Sequence, residues 1–139
     1  PPPPGSGRPP KLSKASLDAA SFAVVARGKR PGNGHGAKLS VTTSEAAILT
    51  LTYERVGKGR RQGGRCVPAA KTGKRCSTFT VAGSPVTASL IAGLNRISIT
   101  GRTAKGALAP GAYRLGLVAR TPDGRVSKPV RLRLTIVLP

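Results

Sequence analysis

Acidic side chains are nearly missing from this sequence. Only Asp18, Glu45, Glu54 and Asp123 occur in 139 residues, against 24 Lys and Arg, for a formal net charge of +20. The four carboxylates fall in four separate segments, so a paired-carboxylate site for general acid–base chemistry would arise only by tertiary accident. Histidine is as scarce. His35 stands alone in the turn-like run Pro31-Gly32-Asn33-Gly34-His35-Gly36, where a solvated imidazole is the ordinary outcome. No Ser-His-Asp or Cys-His grouping has convincing placement. The expectation is a protein that is not an enzyme, with no catalytic residue, no metal ligand and no cofactor.

Long apolar runs are also lacking. No stretch of 18 apolar residues occurs, so no membrane span is expected. The chain starts at Pro1 with no initiator Met or signal peptide, and it reads as a mature or excised fragment. Trp and Met are absent, and the aromatics number four: Phe22, Phe79, Tyr53 and Tyr113. Apolar burial therefore has to come from Val, Leu, Ile and Ala, a mixture that leans toward strands. Leu, Ile, Val and Phe total 31 of 139 residues, enough to fold a highly charged chain but with a thin core.

What is abundant is proline, glycine and arginine. Residues 1–10, Pro-Pro-Pro-Pro-Gly-Ser-Gly-Arg-Pro-Pro, can enter neither a helix nor a central strand, because proline lacks an amide proton and fixes its own φ. They read as a proline-rich linker, or as a ligand for a proline-recognising domain, ahead of one domain over residues 11–139. Beyond the linker, short runs alternate apolar and polar residues between Gly, Pro and Asn punctuation. In Val130 to Leu138 the even positions are all aliphatic while Arg131, Arg133 and Thr135 point the other way. In Tyr113 to Arg120, Tyr113, Leu115, Leu117 and Ala119 face inward and Arg114 and Arg120 outward, and Thr121-Pro122-Asp123-Gly124 turns toward the last strand. Further strands are predicted at Ser21 to Ala26, Lys38 to Thr43, Ala47 to Val56, Ser77 to Val81, Val86 to Ile91 and Leu94 to Thr100. The Ala-rich stretch Ala15 to Val25 reads as strand or coil. Seven or eight strands at this spacing predict an all-β fold, an antiparallel β-sandwich.

Two cysteines, Cys66 and Cys76, stand ten residues apart. A metal site would want further Cys or His ligands, and a redox pair the tighter Cys-x-x-Cys spacing. The remaining readings are a disulfide closing a short loop, which implies export, and a pair of free thiols. Around them lies the densest charge cluster, Lys58, Arg60, Arg61, Arg65, Lys71, Lys74 and Arg75, with no acid from Val56 to Ser77. Interleaved glycines predict a flexible, exposed loop. Arg forks and Lys point charges there would suit phosphate or carboxylate groups; the alternative is a solvated insertion whose charge only prevents aggregation, in a composition set by GC-rich codons.

Five segments together carry a resemblance: Thr43-Ser44-Glu45-Ala46-Ala47, Gly64-Arg65-Cys66-Val67, Arg75-Cys76, Ala92-Gly93-Leu94-Asn95-Arg96 and Pro110-Gly111-Ala112-Tyr113-Arg114-Leu115. From about residue 12 to residue 138 the chain resembles the bacterial immunoglobulin-like and fibronectin type III-like β-sandwich modules of secreted, Arg-rich proteins from high-GC, actinobacterial-type bacteria. The resemblance implies an Ig-like sandwich, a secreted or cell-surface location and an accessory role, and it names no ligand. It also implies that Tyr113 forms a corner by bonding back to nearby backbone. Where relatives carry Asp-x-x-Gly-Asn, this chain has Thr121-Pro122-Asp123-Gly124-Arg125, which puts a calcium-bound linker in doubt.

With a sequence pI near 11.8, attraction to polyanions follows from charge alone. Nucleic acid is the less favoured partner, because single-strand readers need aromatic platforms, Tyr53 and Tyr113 are expected inward, and no major-groove helix is in view. The functional expectation is a non-catalytic structural or adhesive module that touches an anionic cell-wall polymer or a protein partner, or acts as a spacer. A fibre or array subunit assembled by strand-edge pairing, with self-association through the first or last strand, is the alternative.

Overall fold

The computed structural model describes residues 7–139. The first six residues of the linker lie outside that range. Within it, the carbonyl of Arg8 accepts a hydrogen bond from Arg125 at 2.6 Å, and Pro10 is already buried.

The chain is all-β. In order it forms β1 (Leu12–Leu17), β2 (Ser21–Ala23), β3 (Ala37–Thr43), β4 (Ala47–Gln62), β5 (Arg65–Pro68), β6 (Arg75–Leu90), β7 (Gly93–Ile99), β8 (Arg102–Thr103), β9 (Gly106–Ala107), β10 (Gly111–Arg120) and β11 (Val130–Val137). One sheet has the order β1-β3-β7; a second runs β2-β11-β10-β4-β5, with β6 also paired to β4; β8 and β9 make a small third sheet. The period-two pattern sets these strands. Leu39 and Val41 of β3, Leu49, Leu51 and Tyr53 of β4, and Tyr113, Leu115, Leu117 and Ala119 of β10 are all buried, as alternation requires of the inward face. Together with Phe22, Ile99, Leu134 and Ile136 they form one apolar cluster shared by the two larger sheets. Each such aliphatic side chain contributes roughly 1.5–3 kcal/mol by leaving water.

The structure departs from the expected sandwich in three respects. It is mixed rather than antiparallel: β2 lies parallel to β11, pairing Ser21, Phe22 and Ala23 with Thr135, Ile136 and Val137. The cause is that the N-terminal segment crosses between sheets, β1 pairing with β3 and β2 with β11. Among the described residues the strands number eleven, in three sheets, where seven or eight were expected. Finally, the two strands predicted at Ser77 to Val81 and Val86 to Ile91 are one, β6. Its register against β4 slips between Leu51 and Tyr53, and Gly83 there adopts φ 68° with the site of its missing Cβ only 2.5 Å from Thr103 Oγ1. Glycine suits both that backbone and that close contact, where a side chain would be strained and crowded. The ambiguous Ala15 to Val25 stretch holds part of β1 and all of β2. Lys14 sits at φ 52° beside a slip between Ser13 and Ser16, which scrambles the alternation that would have announced β1.

Candidate functional site

The ladder between β4 and β10 ends at Arg55 opposite Tyr113. Past that point β4 continues with β6 on one side and β5 on the other, and the three strands make an arm. Arg60 stands opposite Arg75 on β6 and Val67 on β5, and Lys58 stands opposite Ser77. The tip is the two-residue hairpin Gly63-Gly64, with Gly63 at φ 64°, as such a turn requires. The predicted flexible loop is therefore strand over most of its cationic length: Lys58, Arg60 and Arg61 lie on β4, Arg65 on β5 and Arg75 on β6, leaving Lys71 and Lys74 in the connection between β5 and β6. That connection folds back on β4. The Lys74 carbonyl accepts from the Arg61 amide at 2.8 Å, that of Gly73 from the Arg60 guanidinium at 3.1 Å, and that of Thr72 from the Gln62 amide side chain at 2.6 Å.

Cys66 and Cys76 are joined as a disulfide, with their Cα atoms 6.0 Å apart. They sit on β5 and β6, with β4 between. In a flat sheet two strand spacings amount to roughly 9.6 Å, so the arm curls toward the disulfide. Gly59 makes that approach possible, since a Cβ built on it would stand 2.8 Å from Cys66 Sγ. Directly opposed residues share a face, which sorts the arm into two sides. Cys66, Cys76, Gly59 and Arg61 occupy one. Lys58, Arg60, Arg65, Arg75 and Ser77 occupy the other. A shallow cleft on the arm is lined by Lys58, Gly59, Arg60, Arg75, Cys76 and Ser77.

All four acids are engaged elsewhere. Arg125 holds Glu45 at 2.7 and 2.9 Å and Asp123 at 2.9 Å. Asp123 is pulled down to about 2, first by the Arg125 hydrogen bond and then by the Thr121 hydroxyl. Asp18 accepts from the Lys38 amide at 2.8 Å, and Glu54 pairs with Arg114 at 2.9 Å. Among the described residues no acid forms an ion pair with a cation of the arm.

Tyr113, the expected corner, is buried. Its hydroxyl donates to the carbonyl of Ala109 at 2.6 Å and accepts from the Arg55 guanidinium at 3.1 Å. Its ring meets that of Tyr53 edge-on, centroids 6.5 Å apart. Burial pushes the Tyr53 hydroxyl up to about 12, partly offset by a hydrogen bond to the backbone of Gly101.

One cluster escaped the sequence. Phe79 lies on the outer face of the large sheet, with the guanidinium of Arg114 3.5 Å from its ring centre and that of Arg133 at 5.1 Å. The alternation of Phe79 with Val81 mimics an inward face, and nothing local in the sequence contradicts it. His35 is partly exposed and borders a groove lined by Val24, Arg102, Leu108, Ile136 and Leu138. Among the described residues no three His, Cys, Asp or Glu side chains gather, and no helix is long and apolar enough to cross a membrane. No protein-family model matches the chain, and no curated protein does.

Proposed function

We propose that this chain is a non-catalytic, extracellular immunoglobulin-like module whose disulfide-braced arm grips an anionic polymer of a bacterial cell surface. The fold reading rests on strand order. A first strand split between sheets, β3 and β7 in one layer, and β11, β10, β4 and β6 in the other follow the Ig plan, as does a tyrosine at the start of the penultimate strand bonded to backbone four residues upstream. A disulfide suits an oxidising compartment.

The observation that carries the function is the arm itself: seven cations on and around the far ends of β4 and β6 and the short β5, ordered by backbone ladders and a crosslink, with every acid of the chain committed elsewhere. Ordering the backbone that carries these Arg and Lys side chains reduces the entropy lost when an anion binds. Charge of one sign also steers anionic chains from about a Debye length away, roughly 8 Å at physiological salt.

The test is salt-titrated binding of the oxidised protein to isolated bacterial wall, to wall stripped of its anionic polymer, and to neutral polysaccharide, heparin and duplex DNA. The expected result is binding to intact wall that survives physiological salt and disappears on stripping or in a Lys58→Gln, Arg60→Gln, Arg75→Gln variant. Equal binding to every polyanion, all released together by modest salt, would instead make the charge generic and the domain a spacer.

A further inference from the structure

The cationic face of the arm does not stop at the arm. The register of β4 against β6 is unbroken from Glu54 opposite Val81 to Arg60 opposite Arg75, so Glu54, Val56, Lys58, Arg60 and Gln62 all point to the same side. Glu54 is opposite Arg114 on β10, and Arg114 is opposite Arg133 on β11. Arg133 lies three strands from Phe79 in the order of the sheet, yet its guanidinium reaches to 5.1 Å from the ring. Side chains of four strands thus converge at the root of the arm. Glu54 neutralises Arg114, and Arg133 keeps its charge. Cations therefore run from Arg133, past Phe79, through Lys58, Arg60 and Arg75 to Arg65. From Glu54 to Gln62 the track spans eight residue steps, roughly 26 Å at the rise of a strand.

Resting on the polymer-binding reading, we infer that this track binds one extended chain of a polyol phosphate, laid along β4 with neighbouring phosphates at Lys58 and Arg60 and with Arg75, Arg65 and Arg133 flanking them on other strands of the sheet. The two repeats match. Same-face residues on a strand recur every two residues, or six backbone bonds, roughly 6.6 Å. A phosphodiester of a three-carbon polyol also has six backbone bonds per charge: two P–O, two C–O and two C–C. Extended, it therefore presents phosphates at nearly the spacing of Lys58 and Arg60. Arg forks complement phosphate oxygens. The same six-bond repeat occurs in single-stranded nucleic acid, but bases need open aromatic platforms, and Phe79, the one aromatic ring on this face, is covered by Arg114 at 3.5 Å.

The experiment measures Kd and its salt dependence, by fluorescence anisotropy at physiological salt, for synthetic oligo(glycerol phosphate) of two, four and eight repeats. Two folded variants are compared with the parent: the arm variant Lys58→Gln, Arg60→Gln, Arg75→Gln, and the sheet variant Arg131→Gln, Arg133→Gln on exposed positions. Affinity is expected to climb steeply to about four repeats and then flatten. The sheet variant should bind the two-repeat ligand like the parent and the eight-repeat ligand about tenfold more weakly. Its log–log salt slope should be shallower by roughly 1 to 2, at about 0.7 to 0.9 for each phosphate no longer neutralised. If the arm variant abolishes binding while the sheet variant holds the eight-repeat ligand as the parent does, the track ends at the arm: the inference fails and the proposed function stands. If neither variant changes binding, both fail. Tighter binding of oligothymidylate at equal phosphate number, or equal binding of polyglutamate at equal charge, also overturns the inference.

Discussion

Gly59 lies directly beneath Cys66: a Cβ on the glycine would stand 2.8 Å from the sulfur and 2.8 Å from the Val67 carbonyl oxygen. The crosslink between β5 and β6 thus depends on a residue that takes no part in it. Gly59→Ala should destabilise the protein by about 1–3 kcal/mol, the usual cost of forcing a methyl group into filled space. Part of that cost belongs to the sulfur. In a Cys66→Ser, Cys76→Ser background, itself weaker by about 2–3 kcal/mol in the chain-entropy picture, Gly59→Ala should cost measurably less. Urea denaturation of the four proteins closes the cycle, and strict additivity would disconnect the glycine from the disulfide.

Removing one oxygen from Tyr113 is the second test. Tyr113→Phe keeps the ring packed on Tyr53 but leaves the Ala109 carbonyl and an Arg55 N–H without their partner. The expected loss is about 1–2 kcal/mol by urea denaturation. Backbone amides of Leu108, Ala109, Gly111 and Ala112 should exchange faster with deuterium, and those of β3 should not.

The acid and alkaline limbs have different origins. The Asp123 carboxyl titrates near 3.8 when unperturbed and only at about 2 in the fold, held there by Arg125 and then Thr121. Its depressed value means the contribution is complete above about pH 4 and is lost as pH falls toward 2. The thermal midpoint should fall across that window, and more gently in Asp123→Asn. Tyr53 has the opposite sign. Burial raises it from 10.0 to about 12, so the unfolded chain ionises first and stability drops as pH rises from 10 through 12. Tyr53→Phe should flatten that limb.

Much of the fold was legible because alternation is a direct print of burial. The runs Leu49/Leu51/Tyr53, Tyr113/Leu115/Leu117/Ala119 and Leu134/Ile136 point inward as their period requires. What alternation cannot encode is a residue whose partner is distant. Lys14 breaks the period in β1, and Gly83 looks like a strand end although the chain passes through it. The candidate site was legible as composition and not as geometry. Seven cations in one stretch are plain in the sequence, but glycines that read as flexibility serve other purposes: Gly59 admits the sulfur, and Gly73 fits against the Arg61 carbonyl. Arg133 and Phe79, 54 positions apart in the numbering, meet only because β11, β10, β4 and β6 are assembled side by side.

The parallel pairing of β2 with β11 sets how the domain carries a load. Its partners Ser21, Phe22 and Ala23 run the same way as Thr135, Ile136 and Val137, with an added bond from the Thr135 amide to Ala20 at 2.8 Å. Tension entering ahead of β1 and leaving beyond β11 drags these neighbours in opposite directions along their own axes. Their hydrogen bonds are then sheared together instead of being unzipped singly, and β1 is sheared against β3 in the same pull. Stretched between its two ends in a single-molecule trap, the molecule should yield in one high-force event. An early, low-force release of the N-terminal strands would show that the tether peels.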